Sequence, residues 1–174
     1  MRLMVGCDLE EFRRYYRRCG IVEDLAMECE GLGETEEGHI RRDASHLIVF
    51  REEDQIIGDA IWHESNTREH TPGSGDWRNR NDTEILEKLL GGSKHFVELH
   101  ELWLVKEHRG RGYGKDFFDF FEDFIRKRGH QNIVYYAFDP AAVALCRRRG
   151  YEEAYGVEAV GRTCYILYLH LKGQ

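Results

Sequence analysis

One stretch narrows the possible folds more than any other: "RGRGYGKDFFDFF", Arg109 to Phe121, with three glycines and three cations set against a run of phenylalanines. A strand-like run, "KHFVELHELWLV", leads into it. Strand, glycine turn and helix in that order describe an α/β unit whose turn exposes main chain at a helix N-terminus. Free N–H groups converge there at the positive end of the helix dipole, which suits an anion. Glycine matters because a Cβ would keep a pyrophosphate away from the main chain. Arg109, Arg111 and Lys115 add positive charge in a chain whose formal net charge is −7. The alternative is a plain turn whose glycines only permit tight packing. The strand before, the amphipathic helix after and the local cations favour the anion site.

Two familiar nucleotide loops fail on spacing. A P-loop needs Gly five residues before the Gly of Gly-Lys, and Ser or Thr after the Lys. Those positions hold Arg109 and Asp116. A dinucleotide fingerprint needs G-x-G-x-x-G, whereas Gly110, Gly112 and Gly114 are spaced two and two.

The rest of the chain reads as a mixed α/β domain. "RLMVGC" suits a first strand. "DLEEFRRYYRRCG" suits a helix capped by Asp8 and ended by Gly20, with Phe12, Tyr15 and Tyr16 inward and the arginines outward. "IVEDLAMECEGLG" repeats that pattern, and "SHLIVFREEDQIIGDAIWHES" is a hairpin around "EEDQ". A long insertion, residues 64–94, carries Pro72, Gly73, Gly75, Trp77 and Arg78, then a short helix from Asp82 to Leu90. It lies where a lid could form, or is a surface loop. From Lys115 to about Arg128 a helix places Phe117, Phe120, Phe121, Phe124 and Ile125 on one stripe. "NIVYYAF" is a strand, and "DPAAVALCRRRG" is a helix with Asp139 as N-cap, Pro140 at N1 and Gly150 as its stop. "GRTCYILYLHL" supplies a last strand.

At 174 residues and 41% hydrophobic, the chain fits a single domain over residues 1–174. No apolar run is long enough to span a bilayer, and no secretory signal opens it, which predicts a cytoplasmic protein away from membranes. The acidic balance argues against nucleic acid and leans towards cationic small substrates. Cys7, Cys19, Cys29, Cys146 and Cys164 form no CxxC pair and read as reduced thiols. His63, His70, His95 and His100 lack HxH or HExxH spacing, so no metal is expected. A metal-dependent small-molecule enzyme built on them is a remote alternative. The oligomeric state is open, a homodimer included.

The segment "LWLVKEHRGRGYGK" resembles the acetyl-CoA-binding motif of the GNAT family of N-acetyltransferases, with Arg109, Gly112 and Gly114 matching its Q/R-x-x-G-x-G/A signature. "DPAAVALCRRRGYEE" resembles the family's second motif through Asp139, Ala142, Gly150 and Tyr151. Together the motifs cover about residues 97–155. The resemblance implies a mostly antiparallel central sheet, splayed between strands 4 and 5 and flanked by helices. It also implies acetyl-CoA as acyl donor, with its pantetheine along the main chain of Leu102, Trp103 and Leu104. The diphosphate would lie on Arg109, Gly110, Arg111, Gly112, Tyr113, Gly114 and Lys115. The implied activity is acetyl transfer to a primary amine by direct attack in a ternary complex.

That chemistry needs a base, because an amine is protonated near neutral pH. Along the strand Glu98, His100 and Leu102 share one face, and Leu99, Glu101 and Trp103 the other. The family's carboxylate bases align with Glu98 or His100. Glu98 is favoured, directly or through water, with His100 as partner or substitute. The alternatives are a surface carboxylate for Glu98 and a hydrogen-bonded core histidine for His100. The family's usual proton-donating tyrosine falls at Cys146. A thiol of pKa roughly 8.5 is able to donate in principle, and a small buried residue is the other reading. Tyr151, Tyr155 or water remain as donors. Asp139 also replaces the usual Asn. These departures motivate a second hypothesis, a non-catalytic acyl-CoA-binding or sensor domain of the same fold.

Overall fold

Asp8 turns the chain into its first helix: its Oδ1 accepts from the Glu11 N–H at 2.9 Å, and Gly20, left-handed at φ 72°, ends it. The computed structural model describes residues 1–20, 46–67, 83–92, 95–159 and 162–172. The expected helix over "IVEDLAMECEGLG" and most of the 64–94 insertion lie outside the described residues. The chain divides into two compact units, Met1–His63 with His100–Tyr113, and Glu64–Leu99 with Gly114–Gln174. Each takes two separated pieces of sequence, so neither is a continuous segment.

The first unit holds β1 (Arg2–Val5), α1 (Leu9–Cys19), β2 (Leu47–Glu52) and most of β3 (Gln55–Asn66). β1 pairs antiparallel with β2, Leu3 opposite Phe50 and Val5 opposite Ile48. β2 returns into β3 through Glu53 and Asp54, the hairpin the sequence predicts. Phe12, Tyr15 and Tyr16 of α1 are buried against Leu47, Val49, Ile56 and Ile61, as the helical spacing requires. Gly58 is fixed by a close approach: a Cβ there would sit 2.6 Å from the Trp103 carbonyl oxygen.

The second unit contains α2 (Thr83–Leu90), α3 (Tyr113–Lys127, from Gly114 onward), β5 (Asn132–Ala137), α4 (Pro140–Arg148), β6 (Glu152–Ala159) and β7 (Arg162–His170). β4 (His95–Leu104) begins there, parallel to β5 with Val97, Glu98 and Leu99 opposite Ile133, Val134 and Tyr135. β7 runs antiparallel to both β5 and β6. Asp139 caps α4 by accepting from the Ala141 N–H at 2.7 Å, with Pro140 in the first turn. Phe96, Val134, Tyr136, Ile166 and Tyr168 pack with Leu86 and Leu90 of α2.

The strands follow the order β1-β2-β3-β4-β5-β7-β6 in one seven-stranded sheet. Two elements differ from expectation. β6 carries no strand signal of its own, because "EEAYGVEA" has little β-branched character; it becomes a strand through its pairing with β7. α3 begins at Tyr113 rather than Lys115. Its buried stripe is Phe117, Phe118, Phe121 and Ile125, while Phe120 and Phe124 stack on each other at 5.9 Å, half-buried. Among the described residues no helix is long and apolar enough to cross a membrane.

Candidate active site

β4 is followed by a single 3-10 turn, Lys106–His108, and then the glycine loop. The turn is closed by the His108 N–H on the Val105 carbonyl at 2.9 Å and the Arg109 N–H on that of Lys106 at 3.2 Å. Arg109 folds back on the strand it has just left. Its Nε donates to the Leu104 carbonyl at 2.8 Å, and its guanidinium lies 4.8 Å from the Trp103 ring centroid. Gly110 and Gly112 adopt φ of 77° and 88°, a left-handed backbone, with open space where a Cβ would stand. Both are exposed, as are Arg109 and Arg111. Tyr113 and Arg111 reach Glu52 at the end of β2, a connection for which the sequence offers no sign.

In the second unit, Gly114 opens onto α4: a Cβ there would meet Leu145 Cδ2 at 3.2 Å. Lys115, exposed, donates to Asp119 at 2.8 Å. The first-turn N–H groups of α3 have no acceptor within their own helix. Within the first unit the loop offers glycine access at 110 and 112 beside the cations Arg109 and Arg111, while Lys115 and the rest of the first turn of α3 belong to the second.

The acid and base candidates differ in setting. Glu98 is 1% exposed, a buried carboxylate in the second unit opposite Val134. His100 in the first unit is half-buried, its ring 5.8 Å from that of His63. Glu101 accepts from the Tyr16 hydroxyl at 2.9 Å, and that same hydroxyl lies 3.3 Å from Asp59. Tyr15 donates to the other Asp59 oxygen at 2.8 Å. Asp59 is fully buried, and its place in this network is not legible in the sequence. Cys146 is fully buried in α4, and desolvation, then the charge of Glu122, pushes its thiol up to about 12. Such a thiol keeps its proton at neutral pH and packs as a small apolar group. Tyr151, 5% exposed, is also pushed well above the ordinary phenol range by burial. Among the described residues no group of His, Cys, Asp and Glu is arranged to hold a metal ion, and His70 lies outside them.

The Acetyltransferase (GNAT) family model matches residues 9–151, from the first residue of α1 to Tyr151 of the second motif. The chain belongs to the GNAT acetyltransferase family. Membership makes this GNAT protein an N-acetyltransferase of the acyl-CoA-dependent kind. Solved structures agree in fold. An agmatine N-acetyltransferase, a point mutant in its apo form, matches with a TM-score of 0.63 at 14% identity, over 98% of this chain and 99% of that one. A Drosophila melanogaster polyamine N-acetyltransferase that forms N-acetylagmatine matches at 0.58 and 14% identity, over 78% and 80%. N-acetylglutamate synthase from Neisseria gonorrhoeae, complexed with coenzyme A and N-acetyl-glutamate, matches at 0.57 and 14% identity, over 99% of this chain and 35% of that one. At these identities the likeness is one of fold. No curated protein matches the sequence.

Proposed function

We propose that this GNAT protein transfers an acetyl group from acetyl-CoA to a primary amine by direct attack in a ternary complex. The observation that supports it most is the exposed loop from Arg109 to Gly112, where two left-handed glycines leave the main chain unobstructed just before α3. In this reading the diphosphate rests on Arg109 to Lys115, and pantetheine pairs with the main chain of Leu102, Trp103 and Leu104. A main-chain N–H near Leu102 or Leu104 stabilises the charge that develops on the carbonyl oxygen. Glu98 removes the amine proton, directly or through water, with His100 as partner. The thiolate leaves unaided or takes a proton from water, because burial makes the Cys146 thiol a weak acid, raised to about 12.

The acceptor in this reading is a cationic amine. The net charge of −7 favours one, and two proteins of like fold are named for agmatine and polyamine. Initial rates over a panel of diamines and monoamines test the proposal. Intersecting double-reciprocal lines are expected; parallel lines would indicate a covalent acetyl-enzyme instead. Glu98→Gln should lower kcat about 10²- to 10⁴-fold at unchanged acetyl-CoA affinity. A kcat close to that of the parent removes Glu98 from the chemistry.

A further inference from the structure

Three side chains that bracket the glycine loop meet on one carboxylate. Tyr113 donates to Glu52 Oε1 at 2.5 Å. On the other oxygen, Oε2, His108 Nδ1 lies at 3.0 Å without the geometry of a hydrogen bond, and Arg111 Nη1 at 3.6 Å. Arg111 is also tied to the Glu107 carbonyl at 3.3 Å. Glu52 is itself held by the sheet: it closes the β2–β3 hairpin opposite Gln55, beside Glu53 at φ 53°. The hydrogen bond from Tyr113, then the charges of His108 and Arg111, hold its carboxyl below the ordinary range, so it is an anion at neutral pH.

An anion beside a diphosphate site opposes ligand binding by its charge, so its position there calls for a compensating role. Glycines at 110 and 112 give the loop more backbone freedom than any other residue would. A loop that must be ordered when its ligand arrives binds less tightly than one ordered beforehand. We propose that Glu52 is a positioning residue for the cofactor loop: through Tyr113, His108 and Arg111 it holds residues 108–113 in the binding conformation before acetyl-CoA arrives. This rests on reading the loop as the acetyl-CoA site. Arg111, with 51% of its side chain exposed and the longest of the three contacts, is the member able to swing to a phosphate while Tyr113 and His108 keep the loop in place.

The test compares the parent protein with Glu52→Ala and Glu52→Gln, each confirmed folded by circular dichroism. Amide hydrogen exchange of residues 109–113 in the free protein is read first. Calorimetric titration with acetyl-CoA and steady-state kinetics follow. Glu52→Ala is expected to speed loop exchange about tenfold and to raise KM for acetyl-CoA about tenfold, with kcat within about twofold. Glu52→Gln keeps an oxygen for Tyr113 and should recover most of both. Unchanged exchange and KM in Glu52→Ala would overturn the proposal, as would equal losses in kcat and kcat/KM. If the parent itself does not bind acetyl-CoA, the reading of the loop as its site fails, and the exchange data still decide whether Glu52 orders it.

Discussion

Gly112 shows how one missing side chain has two separate consequences. At φ 88° an L-residue is strained by about 1–2 kcal/mol, although nothing lies within 4 Å of the position a Cβ would take. Gly112→Ala should therefore fold, with a modest loss of stability and a fall in acetyl-CoA affinity of about tenfold or more, measured by calorimetric titration. An unchanged Kd would mean that no ligand atom approaches that main chain. Gly112 is legible in the sequence because glycine, cation and following helix are near neighbours in the chain. Glu52 is not, because the tyrosine that donates to it is 61 residues away. Asp59 escapes notice for the same reason: Tyr15 and Tyr16 reach it from 44 and 43 residues away, and inside the hairpin it looks like an ordinary outward polar residue.

Helix α4 is recognisable at both ends, from Asp139, Pro140 and Gly150, because caps act over two or three residues. What its arginines do is not. Arg149, just past α4, donates through Nε and Nη2 to both oxygens of Glu122 at 2.8 and 2.7 Å, and through Nη1 to Asp119 at 2.8 Å. A planar fork on two carboxylates of α3 does more than complement a helix dipole. With only 16% of the side chain exposed, Arg149→Ala should cost roughly 1–3 kcal/mol. In a protein of this size that lowers Tm by about 2–4 °C per kcal/mol, readable by calorimetry. Arg149→Lys should recover less than half, since an ammonium cannot span both carboxylate oxygens; full recovery would reduce the contact to simple charge. α3 shows the opposite limit. With phenylalanine at 117, 118, 120, 121 and 124, more than one stripe satisfies a helical period, and packing against Tyr135 and Tyr151 selects Phe118 over Phe120.

Across the molecule, each unit buries acids in their neutral forms. Cys7, half-buried in the first, and Cys146, fully buried in the second, are both raised to about 12, mainly by desolvation. Tyr15, Tyr16 and Tyr151 are raised for the same leading reason. A folded-state pKa above the unfolded one stabilises the fold fully below the unfolded value, and that contribution is lost as pH climbs from about 9 towards 12. Urea unfolding should therefore give a steady free energy from about pH 7 to 8.5 and a falling one above it, by roughly 1–2 kcal/mol per buried thiol at about pH 10.5. Cys146→Ala should shrink that loss; a drop as large as the parent's would show that the thiol is not buried in its neutral form. Read alone, the chain established the caps, most helix and strand positions, the glycine loop and the family, because each depends on residues a few positions apart and on the periods of helix and strand. Folding alone made β6 a strand, selected Phe118, put Arg149 on two acids and gathered the loop onto Glu52. Those outcomes depend on which distant segments come into contact, and no local pattern in the chain encodes that.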